Sequence, residues 1–246
     1  MSRKADTWFA WSGIPFVTLF VVGMVPFADF VPPPSPADSA EQIAAIFREH
    51  TNAIRVGLVL VFVATILFLF YGAELAHQTR RIAGASRALC YVQIASVSAA
   101  VLIIDLPVML WWTAAFRPER PAEFLRLLND VGWMIFIGGF VPYVAWAIAV
   151  GLAILSDVTP EPVFPRWSGY LSIFVALVQV PPVMLVFVKT GPFAWDGLIS
   201  WWLPAIDFFA WIVVMMVLTA TAARQQPIHQ HLDAEERHPI PNRPED

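Results

Sequence analysis

Asp105 and Asp207 each lie inside a long apolar stretch of the chain. An ionisable group at the centre of a membrane helix costs at least ~2.5 kcal/mol on insertion scales, so it needs a partner or a task. Asp105 lies nine residues before Ala114, close to the end of its stretch, and Asp207 lies eight residues after Ile199, close to the start of its own. At ~1.5 Å per residue, both carboxylates fall roughly 12–14 Å below the same boundary, reached from opposite directions. Gln179 and Tyr143 fall near that level, and Pro107, Pro142, Pro181, Pro182 and Pro204 surround it. A proline in a span kinks the helix and frees carbonyls that then need partners. The pattern predicts a polar cluster of Asp105, Asp207, Gln179, Tyr143 and, at the mouth of the second apolar stretch, Arg55, around a cavity that opens outward. Ligand or ion coordination is one use of such a cluster. Structural glue is the plainer one: Arg55 pairs with either acid, or a protonated acid bonds a freed carbonyl, since burial raises a carboxyl pKa.

Other chemistry finds little support. No G-x-S-x-G, H-E-x-x-H or Walker-type loop occurs, so no catalytic residue can be assigned. His50 and His77 bracket the second stretch ~40 Å apart on a straight helix, and no histidine lies deep in a span, so neither a metal nor a haem is expected. His229 and His231 fall in a polar tail. The lone Cys90 reads as an apolar filler. Glu74, one turn from Gln78 and near Arg80 and Arg81, reads as an interfacial ion-pair partner.

The elements that must position these groups are membrane helices. Of 246 residues, 58% are hydrophobic and 14% charged, against about 25% charged in a soluble domain. The net charge of −4 offers no basic stripe for nucleic acid. A bilayer span takes about 20 mainly apolar residues. Six stretches qualify, approximately 8–30, 54–76, 88–114, 131–155, 167–189 and 199–223, and they are continuous rather than alternating, as helices require and barrel strands do not. The first is too long for a signal core and lacks a cleavage site, so it is taken as an uncleaved span. The expected fold is all-α, a polytopic membrane bundle of about six helices, with residues 1–224 as one domain and 225–246 as a disordered cytoplasmic tail.

Lys and Arg in the connections favour cytoplasmic termini, nine inside against six outside. Trp8, Trp11 and Trp167 then fall at the inner interface, and Trp111, Trp112, Trp133, Trp195, Trp201 and Trp202 at the outer one, whereas Trp146 and Trp211 suit a core. Two outer connections have helical character. Ser39 and Gln42 have capping-box spacing ahead of Ile43, Ile46 and Phe47, and Pro121 precedes the stripe Phe124, Leu127, Leu128 and Val131. Each is read as a short amphipathic helix on the outer surface or as the first turns of the next span. Gly138-Gly139 and Gly151 suggest close helix packing.

The strings Ala115-Phe116-Arg117-Pro118-Glu119-Arg120, Leu128-Asn129-Asp130-Val131-Gly132-Trp133, Phe164-Pro165-Arg166-Trp167-Ser168-Gly169-Tyr170 and Lys189-Thr190-Gly191-Pro192-Phe193-Ala194-Trp195-Asp196-Gly197 resemble a group of uncharacterised polytopic membrane proteins of bacteria, chiefly actinobacteria. The resemblance spans most of residues 8–224. It implies a six-span protein of the bacterial cytoplasmic membrane and supplies no activity, substrate or cofactor. In the expected topology those strings bring Arg117, Arg120, Asp130, Lys189 and Asp196 to one outer face as a charge network. Three functions stay open: a membrane protein that binds or passes a small apolar or amphipathic ligand, an accessory subunit that recognises a membrane-protein partner, and an intramembrane enzyme that moves protons on Asp105 or Asp207.

Overall fold

The computed structural model describes residues 3–225; all but the first residue of the expected tail lies outside them. Among the described residues the chain is helical throughout. In order come α1 (Arg3–Trp11), α2 (Gly13–Val22), a π-helical turn (Gly23–Phe27), α3 (Ala40–Glu49), α4 (Thr51–Thr79), α5 (Arg87–Phe116), α6 (Ala122–Gly138), α7 (Val141–Leu155), α8 (Arg166–Val178), a 3-10 helix (Pro181–Phe187), a second π turn (Leu198–Trp202) and α9 (Leu203–Arg224). These elements combine into six spans of sufficient length and apolarity: Lys4–Phe27, Thr51–Thr79, Arg87–Phe116, Ala122–Leu155, Arg166–Phe187 and Leu198–Arg224. The protein is therefore a multi-pass helical membrane protein, as its composition requires.

The spans close on themselves. α4 packs on α5, α5 on α6 and α7, α7 on α8, α8 on α9, and α9 returns to α1 and α4. Span one meets α4 at Gly23 and Gly57, where a Cβ on either glycine would collide with the other's carbonyl oxygen. Such contact of bare backbones is how small residues bring membrane helices together. Gly151 is likewise tight, a Cβ there falling 2.8 Å from Ile173, whereas Gly138 has open space around it.

The two amphipathic connections behave differently. α3 is a helix of its own, with the expected capping box: Gln42 N–H donates to Ser39 Oγ at 3.3 Å and Ser39 N–H to Gln42 Oε1 at 2.7 Å. It buries Ile43, Ala44 and Phe47 against the bundle and packs on α6. The second stretch is not a separate helix, because α6 runs from Ala122 straight into the fourth span. We call the end bearing α3 the capped side and the opposite end the terminal side.

The tryptophans require a correction. Trp111 and Trp133 are fully buried, and Trp195 and Trp201 nearly so, instead of presenting their rings on the outside of the bundle. Trp111, Trp133 and Trp201 form with Phe30 an aromatic plug under the cap: Phe30–Trp111 at 5.1 Å, Trp111–Trp133 at 4.6 Å and Trp133–Trp201 at 5.6 Å between centroids. α3 and the 28–36 segment cover the span ends, so burial among rings wins over the pull of the interface. Trp8 and Trp167 stay exposed, as expected of interfacial anchors. A second column, Phe16–Phe68–Trp146–Trp211, runs through the middle, and Trp211 donates its indole N–H to Ser172 Oγ at 3.0 Å.

Candidate functional site

The prolines noted in the sequence mark where helical geometry fails. Pro26 sits inside the first π turn. Pro142 opens α7 directly after α6 ends at Gly138, splitting the fourth span at Gly139-Phe140. Pro181 and Pro182 convert the end of the fifth span to 3-10 geometry, and Pro204 follows the π turn that starts the sixth. The cause is shared: proline lacks an N–H and its ring clashes with the carbonyl one turn back, so the chain widens, tightens or breaks there. Pro107 is the exception, carried inside an unbroken α5.

All four irregular sites border one cavity of about 520 Å³. Its wall includes Met24 and Val25 from the first π turn, Gly139 and Phe140 from the split, Gln179 just ahead of the 3-10 helix, and Ser200, Trp201 and Trp202 from the second π turn. Phe20, Phe68, Phe136, Tyr143, Phe208 and Phe209 supply most of the remaining aromatic wall. Irregular backbone at membrane depth survives only where protein or a cavity shelters it from lipid. Val21, Val25 and Ile206, which also line the cavity, are 39%, 41% and 64% exposed, and all three belong to apolar spans. The exposed part of the cavity wall therefore lies on the first and sixth spans.

The five residues expected to cluster separate into three places. Gln179 and Tyr143 line the cavity, and Gln179 Nε2 donates to Pro204 O at 2.9 Å and to Asp207 Oδ2 at 3.4 Å. Asp207 thus stands one layer behind the wall. Asp105 is not on that wall; it faces Thr65 of α4, and its buried Oδ1 has no hydrogen-bond partner. The Thr65 hydroxyl also lies 2.7 Å from Phe62 O, within hydrogen-bond reach. Arg55 pairs with neither acid. Its guanidinium donates to Ala115 O at 2.8 Å and 3.2 Å, to Phe116 O at 3.3 Å and to Asn52 Oδ1 at 3.2 Å. It is a cap on the last carbonyls of α5, the ordinary use of a cation at a helix C-terminus. The clamp between Arg55 and the acids fails because these orphan carbonyls lie closer.

The expected outer charge network does not assemble as ion pairs. Arg117 lies over the Phe116 ring, the Arg120 carbonyl accepts from Arg48 at 3.1 Å, and Asp130 takes Asn129 Nδ2 at 3.4 Å while feeling the charges of Arg126 and Lys189. Lys189 and Asp196 do not pair with each other, and Arg126 pairs instead with Glu123 at 2.9 Å. Neutral groups tie the loops instead. Arg48 also donates to Pro118 O at 3.0 Å, and Trp195 Nε1 donates to Pro34 O at 2.7 Å.

Near the terminal side the grouping of Glu74, Gln78 and Arg81 noted in the sequence forms a second polar centre, to which the structure adds Gln93. Glu74 and Gln78 are buried, and Gln78 Nε2 donates to Glu74 Oε1 at 2.6 Å. Arg81 donates to Gln78 Oε1 and, at 3.0 Å, to Ala222 O. Burial pulls the Arg81 guanidinium below its usual pKa, with the charges of Glu74 and Asp6 opposing that shift. Thr79 donates to Gln93 Oε1 at 3.1 Å, and Gln93 is fully buried. A glutamine in an apolar run was the available signal. Among the described residues, no three His, Cys, Asp or Glu side chains come together in a metal-holding group.

In comparisons with known proteins, no family model, no curated protein and no solved structure matches this chain.

Proposed function

We propose that this protein binds a small apolar or amphipathic molecule within the bilayer, taking it from the lipid past the exposed wall on the first and sixth spans. One observation carries the reading: four proline-marked breaks, on four different spans, converge on a single apolar cavity. Its ~520 Å³ lies within the ordinary range of small-molecule sites. Proteins place such irregularities disproportionately at functional sites. The resemblance noted above supports the bacterial cytoplasmic membrane as location, and the Lys/Arg distribution supports cytoplasmic termini, which puts the cavity toward the outer leaflet.

The test is native mass spectrometry and lipid extraction of the protein purified in mild detergent. A retained small molecule is expected, and Ala205→Phe, which fills the cavity wall from α9, should release it while the fold stays intact. A wild-type protein that carries nothing and takes up no added apolar molecule would overturn the proposal.

A further inference from the structure

The end of α5 on the capped side carries chemistry that the apolar cavity lacks. A separate hollow of about 420 Å³ lies there, lined by Arg55 of α4 and by Met109, Trp112, Thr113 and Phe116 of α5. The neutral donors on its wall are already used. The Trp112 indole N–H donates to Arg55 O at 3.4 Å, and the Thr113 hydroxyl donates to Met109 O at 2.8 Å. What remains for a ligand is the charge of Arg55.

Carbonyl bonds hold that guanidinium without neutralising it. Its bonds to Ala115 O are half-buried, whereas those to Asn52 Oδ1 and Phe116 O lie at the exposed surface. A guanidinium has five N–H donors, and these contacts leave one Nη1 hydrogen unused. Among the described residues no carboxylate pairs with Arg55, nor with Arg117, whose guanidinium stands 5.9 Å from the centroid of the Phe116 ring. The two segments that form this rim, 48–55 and 115–120, hold four arginines against two acids. An anion is the complement of such a site, and the planar arginine fork matches phosphate oxygens.

The surface beneath the hollow is apolar. Leu102, Leu106, Met109, Thr113 and Phe116 recur at three- and four-residue spacing, so they share one face of α5, and all five are exposed. That face belongs to a span, where exposed side chains meet lipid tails. From Phe116 to Leu102 it runs about 21 Å at the helical rise, longer than the ~15 Å of hydrocarbon in one leaflet. Arg55 stands in the second turn of its span and Phe116 ends its own, which is headgroup level. A free phosphate would use the charge alone, whereas a phospholipid uses both the charge and the apolar face.

We propose that the hollow at Arg55 binds the phosphate of an anionic glycerophospholipid from the capped-side leaflet, with one acyl chain along the Leu102–Leu106–Met109 face. The excess of arginine at the rim favours a headgroup with net negative charge over one that carries its own ammonium.

The experiment is native mass spectrometry of the detergent-purified protein titrated with an equimolar mixture of dioleoyl phosphatidylglycerol and dioleoyl phosphatidylcholine. The wild type should retain the anionic lipid on the order of tenfold over the zwitterionic one. Arg55→Met removes the charge, and Thr113→Trp fills the hollow from an exposed position while leaving Arg55 in place. Each should bring the preference close to one, with melting temperatures checked alongside; if Arg55→Met does not fold, Thr113→Trp carries the test. Ala205→Phe, in the wall of the apolar cavity, should leave the preference unchanged. Equal retention of the two lipids by the wild type, or a preference that survives Thr113→Trp, overturns the proposal. So does a preference lost in Ala205→Phe, which would put the lipid in the apolar cavity. Loss of the preference in millimolar inorganic phosphate would make the site one for a free anion and overturn the lipid assignment.

Discussion

Gln179, at the end of α8, reaches across to α9, donating to Pro204 O at 2.9 Å and standing 3.4 Å from Asp207 Oδ2. The link joins the two spans whose backbones depart from α-helical geometry on either side of the 188–197 connection. Gln179→Leu leaves the Pro204 carbonyl and the Asp207 carboxyl without that donor. Destabilisation by about 1–3 kcal/mol is expected, read as a lower melting temperature in detergent. A variant as stable as wild type would show that the amide contributes nothing.

Arg55 and Asp105 lie on adjacent spans and do not interact. Arg55→Met should destabilise by about 1–2 kcal/mol, through the lost bonds to Ala115 O and Phe116 O. Combined with Asp105→Asn, the effects should add to within about 0.5 kcal/mol. A measured coupling well above that would restore the ion-pair clamp.

Asp157 lies outside the spans and closes the 157–163 turn. Burial would raise its pKa, but bonds from the Thr159 hydroxyl and amide and the Val163 amide more than offset that and hold it below its ordinary 3.8. Those amides donate at 3.0 Å each. A depressed carboxyl pKa contributes stability that is present above the unfolded value and lost as pH falls through the folded one. Protection at Thr159 and Val163, taken as exchange relative to an unstructured amide at the same pH, should be high at neutral pH and still present at pH 3.8, and be lost only in stronger acid. Asp157→Asn should remove the pH dependence. Exchange that is already fast at neutral pH would exclude this role.

Sidedness follows from the Lys and Arg count and is tested by labelling. Pro121→Cys, at the start of α6 on the capped side, should react with a membrane-impermeant reagent added outside the cell. A cysteine at Ala83, in the short turn between α4 and α5, should react only from the cytoplasm. The reverse pattern would invert the topology.

Apolar run length alone determined that the chain crosses a membrane six times, because lipid leaves a backbone no other way to satisfy its hydrogen bonds. The capping box at Ser39 and the kink-forming role of Pro142, Pro181, Pro182 and Pro204 were also legible, since both depend on residues close in sequence. The meeting of Gln179 with Asp207 could be anticipated from matched depth on antiparallel spans. Depth says nothing of azimuth, however. Helix rotation about its own axis, set by packing, turned Asp105 toward Thr65 and away from the cavity. Arg55 went to the carbonyls of Ala115 and Phe116 because the end of α5 presents acceptors nearer than either acid, a fact of tertiary approach. Only the tertiary structure could bury Trp111, Trp133, Trp195 and Trp201, since interface and core pull on an indole alike until a cap exists to cover it. The exposed stretch of cavity wall on the first and sixth spans, too, is a property of how those spans pack, and no local pattern in the chain encodes it.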